Sequence, residues 1–231
     1  MAFNAKPSGA YGFSSTEGAN NVQQMYNMFS SLGYAVEAIA GVIGNSMSES
    51  GLNPWRWQGD KVSMSGGYGL FQYTPASGYI NLTGIQYFAP NLSTTEVTSG
   101  ADPNDGFAQI IVFDENRLSK WGSGAWRPYW STTTYAQLYA ERNRILKQWG
   151  SGSSISMAQF KAITNVYDAT FVFLACFEGP LVPNMTPRYN NASTAYEILT
   201  GMQPEPPTPT PTPTPKQRKG MPLWMYLRPM I

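Results

Sequence analysis

Histidine is absent from this chain of 231 residues, and cysteine occurs once. Without histidine there is no Ser-His or Cys-His catalytic pair and no His-ligated zinc, and a single thiol can close neither a disulfide nor a thiolate metal cage. Charge is also scarce: Asp, Glu, Lys and Arg make up 13% of the residues and the formal net charge is +1. That leaves no broad basic face to hold a phosphate backbone by counterion release, so no nucleic-acid partner is expected. No segment approaches the roughly 20 consecutive apolar residues of a membrane span, and the opening MAFNAKPSGAYGF lacks the apolar run of a secretory signal. The expectation is a protein made in the cytoplasm without a signal peptide. Any acid–base chemistry falls to carboxylates, because no other side chain here titrates near neutrality in its ordinary environment.

What is present is apolar and aromatic, 42% and 14% of the chain, enough for one core. Residues 204–215 read PEPPTPTPTPTP, a stretch that favours extended polyproline II and acts as a semi-rigid linker. The peptide beyond it, 216–231, joins a basic cluster (Lys216, Arg218, Lys219) to an apolar end (Leu223, Trp224, Met225, Tyr226, Leu227). It is too short to fold alone and suits docking on another protein or lying on an anionic membrane surface, with docking favoured because Pro222 and Pro229 spoil a continuous amphipathic helix. The boundaries expected are an N-terminal arm over 1–14, a folded domain over 15–203, the linker and the terminal peptide.

Within the domain, helical periodicity recurs. Asn20 or Asn21 is placed to cap a helix running to Leu32, with Gly33 ending it. Val36, Ile39, Ala40, Ile43 and Met47 form the stripe of a second helix, stopped near Gly51 with Pro54 beyond. Further helices are predicted over Tyr79 to Phe88, Asp105 to Leu118, Tyr135 to Trp149, Met157 to Ile163 after Ser156, Val166 to Phe177, and Ser193 to Leu199. Trp55 to Thr74, rich in Gly, Ser and aromatics, reads as a loop or short hairpin. The fold class is mainly α.

Glu49 lies in the last turn of the second helix, off its apolar stripe, with Ser46, Asn45 and Val42 on its own face. The negative end of the helix dipole and an apolar wall, for which Trp55, Trp57 and Tyr68 are candidates, would favour its protonated form and make it a general acid. The plain alternative is a solvated glutamate at a helix end.

The string ESGLNPW (Glu49 to Trp55), followed in the next loop by GYGLFQYTP (Gly67 to Pro75), resembles the goose-type lysozyme and lytic transglycosylase superfamily, and most of all its phage tail lysozyme family. AIAGVIGNSMSESGLNP fits that family's pre-catalytic helix, and FEGP (Phe177 to Pro180), with Arg188 and Tyr196, fits its last helices. The resemblance implies a lysozyme-like α+β domain that cleaves peptidoglycan glycan strands between N-acetylmuramic acid and N-acetylglucosamine. It implies Glu49 as the general acid, Ser50 and Asn53 as its braces, and Gly69, Leu70 and Gln72 in the loop lining the sugar cleft, with Tyr68 and Tyr73 beside them. Tyr73 stands where relatives often have tryptophan. No metal and no organic cofactor are implied.

Asp60, the sole acidic residue between Ser50 and Pro75, is the candidate second carboxylate, against the alternative of a solvated turn residue. If it is incidental, a transglycosylase mechanism giving 1,6-anhydro products needs only Glu49. Glu178 reads as a structural partner for Arg188, and Cys176 as a core thiol. Trp121, Trp126, Tyr129 and Trp130 are candidates for sugar stacking or for core packing. The rival from another class is a non-catalytic wall-binding module of the virion. The expected partners are peptidoglycan and, through the terminal peptide, a virion protein, with action at the bacterial wall during penetration or lysis.

Overall fold

A computed structural model describes residues 2–87, 102–121, 136–180 and 182–201. The linker, the terminal peptide, Phe88, Trp126, Tyr129, Trp130 and Tyr135 lie outside the described residues. Eight α-helices carry the described fold: α1 (Thr16–Ser31), α2 (Val36–Ser50), α3 (Ala76–Thr83), α4 (Asp105–Asp114), α5 (Ala136–Trp149), α6 (Met157–Lys161), α7 (Val166–Phe173) and α8 (Met185–Gly201). Between α2 and α3 come one 3-10 turn and isolated antiparallel bridges, Trp57 to Tyr68 and Tyr68 to Tyr73. None of the helices is long and apolar enough to cross a membrane.

Helix α1 starts earlier than the asparagines suggested. Ser15 is the cap, its Oγ accepting from Gly18 N at 2.9 Å, and Glu17 in the first turn faces the positive end of the dipole. Asn21 instead sits fully buried inside the helix. Its Nδ2 donates to Asn4 O and Leu52 O at 2.8 and 2.7 Å, and its Oδ1 accepts from Asn4 N. The same affinity for backbone groups that suits asparagine to caps here ties the N-terminal arm and the loop after α2 to one point.

Helix α2 occupies the centre, against α1, α7 and α8. Its buried residues run continuously from Ala38 to Ser46, so the apolar stripe is only part of a surface covered nearly all round. Two glycines permit this. A Cβ on Gly41 would lie 2.8 Å from the Ala169 carbonyl carbon in α7, and one on Gly44 would lie 2.5 Å from Ala192 N in α8. Gly51, in the left-handed conformation at φ 59°, ends the helix as expected, its N–H returning to Met47 O.

Helix α8 is longer than its large apolar residues indicate. Pro187 falls in its first turn, where the missing N–H costs nothing, and its buried face is Met185, Ala192, Ala195 and Leu199 at heptad-like spacing. Alanine at the contact lets α8 approach Gly44. The segment predicted as one helix from Val166 to Phe177 is α7 followed by a single π-helical turn, Leu174–Glu178, closed by Gly179 at φ 54°. Its rings join the main core: Phe113, Phe173 and Phe177 pack with centroids 5.0–5.2 Å apart, and Cys176 is buried beside them.

Gly44→Ala tests the close crossing. Helix propensity alone favours alanine by about 1 kcal/mol, whereas overpacking costs about 1–3 kcal/mol. The expected result is a lower urea midpoint than wild type; a raised midpoint would contradict the packing.

Candidate active site

Glu49, in the last turn of α2 just before Gly51, lines an open cleft of about 370 Å³. Arg56, Gln72, Lys120, Glu178 and Pro180 also line it. Glu49 Oε1 is ion-paired with Arg188 Nη2, and both side chains are mostly shielded, at 21% and 11% exposure. The other arm of Arg188 donates to Asn45 Oδ1 at 3.0 Å, and Asn45 Nδ2 donates to Gly41 O and Thr170 O. Arg188 is therefore not the partner of Glu178 that the sequence suggested; α8 brings it to α2 instead.

Glu178 stands at the end of the π turn and faces the same cleft. The residue is partly exposed, but its buried Oε1 has no hydrogen-bond partner among the described residues. Burial raises its carboxyl pKa well above the ordinary 4.5, and the nearby Glu49 charge pushes the same way, while Arg188 and Lys120 pull it back. The Lys120 ammonium lies 5.8 Å from the Tyr73 ring and 5.9 Å from that of Phe177.

The other residues singled out from sequence divide between cleft and scaffold. Gln72 lines the cleft in a left-handed conformation, φ 44°, with Nε2 on Arg56 O and Gly69 O. Such backbone outliers in non-glycine residues cluster at functional sites. Ser50 is buried and bridges Ser46 O and Leu70 O; Asn53 is buried and donates to Lys6 O and Gly9 O. Leu70, Tyr68 and Tyr73 are fully buried. Gly69 is required by a side chain: a Cβ there would fall 2.3 Å from Gln109 Oε1. Tyr73 stacks on Tyr79 at 4.9 Å within the core and donates to Gln109 O.

Trp55, Trp57 and Tyr68, expected to form an apolar wall beside Glu49, do not line the cleft. Trp57 and Tyr68 pack on each other in the core at 4.7 Å, and Trp55 Nε1 donates to Asp102 O. Asp60 does not line the cleft: its Oδ1 accepts from Gly9 N at 2.7 Å and meets Arg56 Nε at 3.4 Å, leaving neighbouring Gly59 at the wall. Among the described residues, the second carboxylate lining the cleft is Glu178.

Two residues that sequence reasoning passed over hold the loop in place. On α4, Gln109 accepts from Leu70 N at 2.6 Å and donates to Pro54 O at 2.7 Å. One turn earlier, buried Asp105 accepts from both Tyr68 and Tyr79 hydroxyls at 2.5 Å. Burial pushes its carboxyl up to about 6, with the two tyrosine hydrogen bonds holding it back. Their i, i+4 spacing on a mostly apolar helix was the available signal, since a polar pair on a buried face implies partners.

The sequence pattern of phage tail lysozymes matches residues 20–199. The chain belongs to the phage tail lysozyme family. The chain is also similar to morphogenesis protein 1 of Bacillus phage B103, 27% identical over 184 residues. The match takes in 78% of this chain and 40% of the relative, so the chain spans less than half of that protein. Family membership makes it a lysozyme-like protein of phage origin, mainly helical as the motifs implied.

Gln109→Leu removes the partners of two buried backbone groups, each worth about 1–3 kcal/mol when left unsatisfied. Denaturant unfolding at neutral pH is expected to show a loss of roughly 2–5 kcal/mol. A loss under about 1 kcal/mol would mean that Gln109 does not carry the loop.

Proposed function

We propose that this domain hydrolyses the glycan strands of peptidoglycan between N-acetylmuramic acid and N-acetylglucosamine, with Glu49 acting on the scissile bond. The observation that carries this reading is the meeting of two carboxylates, Glu49 and Glu178, across one open polar cleft. Glycoside hydrolysis characteristically uses such a pair around an oxocarbenium-like transition state, one oxygen set to protonate the leaving group and the other to face the sugar carbon. Gln72 and Arg56 supply hydrogen bonds along the wall to hydroxyl or acetamido groups. Ser50, Asn53, Leu70, Tyr68 and Tyr73 act as the scaffold that holds Glu49 and Gln72 in register, because a catalytic side chain displaced by about 1 Å loses much of its advantage. In place of Asp60, the reading takes Glu178 as the second carboxylate.

Family membership and the morphogenesis relative favour a tail component that opens the wall during penetration. The terminal peptide beyond the Pro-Thr linker would then dock the enzyme on another virion protein. The reaction as proposed needs no metal or organic cofactor.

Glu49→Gln keeps the shape and the acceptor for Arg188 but removes the carboxylate chemistry. The folded variant is expected to lose at least about a hundredfold in clearing of purified cell walls. Near-normal clearing would sink the role of Glu49.

A further inference from the structure

The turn that follows Glu49 is held in a conformation that its own residues do not all favour. Gly51 takes the left-handed backbone at φ 59°, and Leu52 follows it at φ 64°. A bulky, fully buried leucine in that region is strained, and such a residue persists only where its surroundings over-determine it. Much of what surrounds it is the N-terminal arm. Tyr11 N donates to Gly51 O at 2.8 Å, and a Cβ on Gly51 would fall 2.1 Å from that of Ala10, so no side chain fits between arm and turn. Asn21 joins Leu52 O to Asn4 O. Asn53, buried, accepts from Lys6 N at 3.3 Å and donates to Lys6 O and Gly9 O at 2.9 Å each. Three consecutive residues behind Glu49 are thus fastened to one distant segment. Phe3 anchors the start of that segment in the core, its ring 4.9 Å from that of Phe107.

The arm also reaches the cleft wall. Gly9 N donates to Asp60 Oδ1 at 2.7 Å, and the same oxygen meets Arg56 Nε at 3.4 Å. Arg56 lines the cleft, and its carbonyl accepts from Gln72 Nε2 at 3.1 Å. The carboxylate that the sequence offered as a second reacting group therefore links the arm to a wall residue.

We propose that the arm from Asn4 to Tyr11 is a positioning element of the glycan-cleaving site, fixing the turn behind Glu49 through Asn53 and the wall at Arg56 through Asp60. Asp60 is on this account a positioning residue and not a reacting one. The inference rests on the functional reading above and leaves its chemistry unchanged. When the clasp at Asn53 is lost, Leu52 relaxes toward ordinary backbone and the last turn of α2 frays, because its final carbonyls lose the structure that follows them. Glu49 sits in that turn. A displacement of about 1 Å from the scissile bond costs on the order of a hundredfold in rate. The far wall of the cleft is untouched, so this loss falls on kcat more than on KM. Loss of the Asp60 link frees the Arg56 side chain and is felt in kcat/KM.

The test uses full-length variants, their folding checked by circular dichroism, and two readouts. Hydrogen exchange reads the turn directly. In Asn53→Ala the amides at the end of α2 and in the turn after it are expected to exchange at least about tenfold faster than in wild type, while those of α7 keep their protection. On soluble glycan strands the same variant should lose at least about tenfold in kcat with KM within about threefold. The Asp60 variants form an independent pair. Asp60→Asn keeps an oxygen to accept from Gly9 N and is expected within about threefold of wild type in kcat/KM, a rescue that a reacting carboxylate does not allow. Asp60→Gly suits the local φ of 55° and removes the acceptor, and should lose at least about tenfold. An Asp60→Asn enzyme down about a hundredfold would make Asp60 a reacting group and overturn the proposal. So would an Asp60→Gly enzyme of normal rate, or wild-type exchange at the turn in Asn53→Ala. Should Asn53→Ala fail to fold, the Asp60 pair decides. A wild-type protein inert toward glycan overturns the functional reading, and hydrogen exchange then still decides whether the arm holds the turn.

Discussion

Burying a helix on nearly every side leaves its polar residues to be satisfied from neighbouring helices, and in this protein that constraint falls on α2. Asn45 meets it by bonding within α2, to Thr170 in α7 and to Arg188 in α8. The same guanidinium closes on Glu49. One short network therefore locks three helices and sets the carboxylate in the cleft. Loss of Arg188 would strand both an amide oxygen and a shielded carboxylate, which is why such networks are costly to break even where their net contribution to stability is small.

The cleft wall depends on a second polar arrangement, between α4 and the loop before α3. Asp105 and Gln109 reach from one face of α4 to the tyrosine hydroxyls and to the backbone at Leu70 and Pro54. Gln72 can then hold its left-handed backbone facing the cleft. Most residues of the glycine-aromatic loop therefore shape the cleft indirectly. Their side chains are the packing that fixes Gln72 and the main chain around it.

The parts of this arrangement readable from sequence were those written in local pattern. The stripe of α2, its stop at Gly51 and the mainly helical class all follow from spacing and from the conformational freedom of one glycine. Asn21 misled because its side chain seeks backbone partners anywhere, and a local reading supplies only local ones. Helix α8 was shortened in prediction because its contact face is built from alanines and its first turn contains proline. The partner of Arg188 was beyond a linear reading: Glu178 is near it in sequence, yet Arg188 pairs with Glu49, 139 residues away, because α8 packs on α2. Asp60 is nearer to Glu49 in sequence than Glu178 is, yet Gly9 and Arg56 hold it out of the cleft.

On the proposed reading, Glu49 and Glu178 form a site that adds water across a glycosidic bond. The most direct measurement is mass spectrometry of peptidoglycan digested by the full chain in water enriched in heavy oxygen. The account predicts that each new N-acetylmuramic acid reducing end carries one heavy oxygen. Anhydro ends without label would show that the sugar's own hydroxyl replaced water, and would contradict it.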